Sequence, residues 1–247
     1  MSGHSKWHNI KIKKQKTDLV RGKLFSKIGR EIMVAAKEGG SNPDANMRLR
    51  TAIDRARDAG LPSDNIQRAI QRGAGGQADA TYETVVYEGY APGGVAVMVE
   101  ALTDNRNRTA SEVRAVFTRN GANFGGGSVA WMFERQGVVA VARGKESEDE
   151  VMLAALDAGG EDLRTTDDGF EIVTRPEEVY KVKQALETRG LSVTSASVVM
   201  HPKNTVRVEG RDAQQVLRLL DALEDLDDVQ GVHANFDIPD EVMQQVG

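Results

Sequence analysis

Nine lysines and arginines stand in the first thirty residues: Lys6, Lys11, Lys13, Lys14, Lys16, Arg21, Lys23, Lys27 and Arg30, against a single acid, Asp18. Trp7 and Phe25 lie among them. Cations at this density neutralise a polyanion, and the release of counterions from phosphates drives such binding whatever the base sequence. An indole in the same segment stacks on an unpaired base, a contact worth ~1–3 kcal/mol. The other reading of the same run is a solvated arm with Trp7 folded back on a core. Lysine outnumbers arginine seven to two in this segment, which favours contacts with a phosphate backbone over bidentate reading of guanine. His4 and His8 are four apart but lack further ligands, so no metal is expected and His4 is read as an auxiliary phosphate donor.

Other chemistries find no residues. The chain has four histidines and no cysteine, and no Ser/His/Asp or paired-carboxylate arrangement, so no enzyme, cofactor or small-molecule substrate is expected. Gly93-Gly94 and Gly125–Gly127 are not followed by Gly-Lys-Ser/Thr and read as turns rather than phosphate cradles. No apolar window is long enough for a membrane helix and no secretory leader opens the chain, which points to the cytoplasm and no membrane partner. Between residues 104 and 109, Asp-Asn-Arg-Asn-Arg-Thr reads as a helix cap, with Arg106 and Arg108 either extending the cationic surface or pairing with acids. The run Asp221–Asp228 reads as a solvated acidic helix face and its end.

The cations need an element to carry them. Apolar spacing predicts a helix over 17–38, with Leu24, Ile28, Ile32 and Ala35 on one stripe and Lys23, Lys27, Arg30 and Lys37 on another. Helices over 44–59 and 63–72 follow, the second stopped at Gly73, and Gly73–Gln77 reads as a hinge. Strands are expected at 84–87 and 95–101 around a turn at 89–94, then a helix over 107–120 and a strand at 128–133. Residues 137–199 follow the order βαββαβ, a ferredoxin-like unit. A strand at 205–209, a helix over 212–224, a strand at 229–235 and a short terminal helix close the chain. The expected fold is α+β and multidomain: a basic three-helix module with a flexible arm (1–76), then two ferredoxin-like α/β domains, one discontinuous (77–135 with 202–247) and the other (136–201) inserted into it. Residues 1–76 carry net +9 and residues 77–247 net −14. One end suits polyanions and the other repels them.

Four spaced motifs also carry a family resemblance. They are Gly3-His4-Ser5-Lys6-Trp7, Pro43-Asp44-Ala45-Asn46, Tyr87-Glu88-Gly89-Tyr90-Ala91-Pro92-Gly93-Gly94 and Thr103-Asp104-Asn105-Arg106-Asn107-Arg108-Thr109. Together they resemble the YebC/PmpR family, which includes the mitochondrial translational activator of cytochrome c oxidase. The resemblance implies a helical N-terminal domain followed by two α/β domains, and a non-enzymatic, nucleic-acid-binding regulator. It implies either a partner in ribosomal RNA or the ribosome, acting in translation, or promoter DNA, acting in transcription.

Overall fold

The computed structural model describes residues 18–75, 82–166 and 168–238. The chain divides into two compact units: residues up to Phe133 together with those from Pro202 onward, and Glu134–His201.

The first unit opens with three helices, α1 (Asp18–Gly39), α2 (Met47–Asp58) and α3 (Ser63–Ala74). Apolar residues three and four apart close one core: Ile28, Ile32 and Ala36 from α1, Leu49, Ile53 and Ala56 from α2, Ile66 and Ile70 from α3. Asn46 ties the first two helices together. Its side chain accepts from Leu49 N at 3.1 Å, capping α2, and donates to Ala35 O at 2.8 Å and Gly40 O at 2.9 Å. Gly73 does not end α3, which runs on to Ala74. A Cβ there would sit 2.2 Å from Met33 O of α1, so the glycine marks a close helix crossing. The remainder of the expected hinge, from Gly76 on, lies outside the described residues, as does the expected terminal helix.

Next come β1 (Glu83–Ala91), a single 3-10 turn (Pro92–Gly94), β2 (Val95–Thr103) and α4 (Arg106–Arg119). The hairpin is longer than expected, pairing Glu83 with Thr103 through to Ala91 with Val95. Gly89 belongs to the strand because a Cβ there would meet Phe117 and Asn123 O, each at 2.4 Å. A short β3 (Asn123–Phe124) follows, then a 3-10 turn (Ala130–Met132) where a strand was expected, before β4 (Phe133–Ala142).

In the second unit β4 is followed by α5 (Glu148–Ala158), β5 (Asp162–Thr165), β6 (Gly169–Thr174), α6 (Val179–Thr188) and β7 (Val193–Pro202). Its sheet runs β5-β6-β4-β7, the ferredoxin-like order, over a core that includes Val139, Ile172, Val182 and Leu186. Returning to the first unit, β8 (Val206–Arg207), α7 (Gly210–Glu224), β9 (Val229–Ala234) and β10 (Phe236–Asp237) complete the described chain. The first unit's main sheet runs β3-β1-β2-β9. Helices α4 and α7 share its core through Val113, Phe117, Leu217 and Leu220. The protein is thus an α+β chain in which a helical module precedes sheet domains.

Candidate nucleic-acid interface

Of the residues expected to meet phosphate, His4, Lys6, Trp7, Lys11, Lys13, Lys14 and Lys16 lie outside the described residues. The others sit on α1, and the structure separates them. Arg21 is exposed and makes no ion pair among the described residues. Lys23, Lys27 and Arg30, four and three apart, form one stripe facing the end of α7. Lys23 Nζ lies 3.7 Å from Asp225 Oδ1. Lys27 Nζ donates to Glu224 O at 2.6 Å. Burial lowers the Lys27 pKa to about 8, even though Glu224, Asp227 and Asp225 pull the other way. Arg30 donates to Asp228 Oδ1 at 3.0 Å, Asp227 O at 3.2 Å and Leu102 O at 3.4 Å. Its guanidinium also lies 5.4 Å from the Tyr82 ring centroid.

These cations satisfy a helix end from outside. The last carbonyls of α7 have no partner within the helix and carry the negative end of its dipole. Lys23 and Lys27 donate to the carbonyls of Asp225 and Glu224. Asp228, the last acid before β9, is the hub. Its Oδ2 accepts from Arg108 at 2.6 Å, Thr109 at 2.7 Å and Thr103 at 3.1 Å. Burial pushes its pKa up, but the bonds from Arg108, Thr109 and Thr103 and the Arg108 charge outweigh that and hold it below the ordinary carboxylate value. The acidic run expected to be solvated is therefore, at its end, an internal counter-surface.

The 104–109 motif supplies the rest. Asn105 caps α4 by accepting from Arg108 N at 3.1 Å, and its own N–H donates to Thr103 Oγ1 at 2.9 Å. Arg108 pairs with Asp104 at 2.9 Å as well as with Asp228. Arg106 is exposed, and its carbonyl accepts from Tyr87 Oη at 3.2 Å. Lys23, Arg30, Arg108 and Asp225–Asp228 line a cleft of about 510 Å³. Sequence reasoning offered acids as one set of partners for Arg108 but missed the pairing of the α1 stripe with the end of α7. The available signal was the match between a three-cation helical stripe and an acidic helix end.

The arginines of α2 and α3 are mostly engaged too. Arg48 pairs with Glu38, Arg50 with Asp44 at 2.7 Å, Arg55 with Glu31 at 2.9 Å and Arg57 with Asp54 at 3.3 Å. Arg68 bonds Asn65 at 2.7 Å. Arg72 is exposed and makes no ion pair among the described residues. No group of three or more His, Cys, Asp or Glu among the described residues could hold a metal ion. No helix among them is long and apolar enough to cross a membrane.

Comparison with known proteins places this architecture. A family profile described as the TACO1/YebC protein N-terminal domain matches residues 5–76, and one described as the TACO1/YebC second and third domain matches residues 82–236. The chain belongs to the TACO1/YebC family. A YebC relative from Dictyoglomus turgidum is 51% identical over 100% of both chains, and one from Rubrobacter xylanophilus is 54% identical over 100% of this chain and 99% of its own. Both carry the name "Probable transcriptional regulatory protein". The crystal structure of a conserved hypothetical protein from Aquifex aeolicus superposes with a TM-score of 0.79 at 52% identity, covering 91% of this chain and 93% of that one. The YebC relatives are thus named as regulators, not as enzymes.

Proposed function

We propose that this protein regulates gene expression in the cytoplasm by binding structured RNA, ribosomal RNA above all, through the cations of its opening segment. Lys6, Lys11, Lys13, Lys14, Lys16 and Arg21 would contact phosphates, Trp7 would stack on an unpaired base, and His4 would assist. The observation that carries the reading is the concentration of positive charge in the sequence, nine Lys and Arg against one acid in the first thirty residues. The arginines of α2 that would otherwise suit base edges each meet an acid. Lys27 and Arg30 hold α1 against α7. The opening segment itself is lysine-rich, which suits backbone contacts.

The printed name of the relatives favours a second reading, promoter DNA bound by the same surface. Co-sedimentation with ribosomes over a salt series separates the two. The expected result is pelleting that weakens with salt, with duplex DNA bound only at low salt and without sequence preference. Replacing Lys11, Lys13, Lys14 and Lys16 by Ala should flatten the log–log salt slope by roughly 3–4. Tight binding to one promoter fragment without ribosome association would transfer the function to DNA.

A further inference from the structure

Trp131 is 63% exposed, a large apolar ring left in water. It is nevertheless held firmly. Its Nε1 donates to Ser128 O at 3.0 Å, fixing the ring by one edge. Ser128 is fixed in turn, because Glu88 Oε1 accepts from Ser128 Oγ at 3.1 Å, Val129 N at 3.0 Å and Ala130 N at 2.8 Å. One carboxylate oxygen with three donors makes the loop a bracket anchored on β1. Gly125, Gly126 and Gly127 precede it with φ of 81°, 95° and 126°, so this backbone offers no side chain to cover the indole.

Two exposed cationic residues adjoin the bracket along the backbone and at the start of its loop. The backbone N of Lys203 donates to Met132 O at 2.8 Å, one residue from Trp131. The Arg114 guanidinium lies 5.0 Å from the ring centroid of Phe124, where the loop begins. Neither makes an ion pair among the described residues. Glycine backbone, a clamped indole and adjoining cations are the components of a single-strand stacking platform. An apolar peptide would call for a broader apolar patch than one ring.

We propose that the bracket around Trp131 holds one unpaired RNA base, with Lys203 and Arg114 on the adjoining phosphates. The site rests on the nucleic-acid reading above but uses none of its residues. Arg108, in the first turn of α4, meets Asp228 beside α1, whereas the loop follows the last turn. At 1.5 Å per residue α4 sets the start of the loop roughly 20 Å from that first turn.

The test uses the full chain carrying Trp7→Phe, which leaves Trp131 as its one tryptophan. Titration with a single-stranded oligouridine or oligoadenosine dodecamer should quench Trp131 emission saturably. In the otherwise native chain, Trp131→Ala should weaken dodecamer binding roughly 5- to 150-fold, and Trp131→Phe should restore much of it. Lys203→Ala should lower the salt slope by about one. The side chain is exposed, so far-UV circular dichroism of Trp131→Ala should match the parent. The quadruple lysine variant of the arm should still quench at low salt, so failure of the arm and failure of this site read out separately. Unchanged Trp131 emission at saturation, equal dodecamer binding by Trp131→Ala, or quenching by ribosomes but never by naked RNA would each overturn the proposal.

Discussion

Asp228 shows how little space separates a binding cation from a structural one. It is buried, and its two oxygens take donors from α1, the end of β2 and α4. Asn in its place keeps the size but removes the charge that Arg30 and Arg108 face. Asp228→Asn should cost about 2–3 kcal/mol in urea unfolding at neutral pH. An unchanged midpoint would mean the cluster is incidental. The sign with pH follows from a folded-state pKa held below its unfolded value. The contribution is fully present above about pH 4 and is lost as pH falls through the folded value, so wild type and variant should converge in acid. Composition alone made the 221–228 run look solvated, because counting acids does not reveal which one ends against a buried Thr103–Thr109 pair. The cationic stripe of α1 was legible from its spacing. Its partner was not, since the pairing spans nearly two hundred residues of chain.

Glycines carried more than one message, and the sequence disclosed only one of them. Gly40 and Gly60 adopt positive φ where helices stop, as their places after apolar runs foretold. Gly73 and Gly89 sit inside elements for want of room, a tertiary cause invisible to local pattern. This explains why α3 outran its expected end and why β1 absorbed part of the expected turn. It also predicts opposite effects from one chemical change. Gly73→Ala gains up to ~1 kcal/mol of helix propensity but drives a Cβ into the Met33 carbonyl, and should lose about 1–2 kcal/mol net. Gly22→Ala, on an exposed turn of α1 with nothing within 4 Å of the added carbon, should stabilise by a few tenths to ~1 kcal/mol. Thermal unfolding of the two variants checks the pair. A stable Gly73→Ala protein would mean α1 and α3 do not cross as closely as described. The 3-10 turn at Ala130–Met132 was misread as a strand for a related reason. Residues 129–133 are a continuous apolar run, but Trp131 is clamped outward through Ser128 rather than paired to a neighbouring strand.

The chain's charge imbalance and element order make one architecture legible without coordinates: a basic helical start and an interrupted α/β domain. Lys203 N donates to Met132 O at 2.8 Å, so the chain leaves the first unit and re-enters it at neighbouring backbone positions. Such an exit and return is what an inserted domain needs, because its removal does not open the host's core. The cores fit this reading, as the buried residues of β1, β2, α4, α7 and β9 pack with one another and those of β4 to β7 with each other. Replacing Glu134–His201 with a Gly-Ser link of about two to four residues should therefore leave a chain that unfolds cooperatively and keeps the arm's salt-dependent binding. The excised piece, near the lower size limit for independent folding, should melt on its own but with a shallow transition. Near-UV circular dichroism on both pieces provides the check. Loss of the aromatic signal from the shortened host would show that its core depends on the insert, and that the two units fold only together.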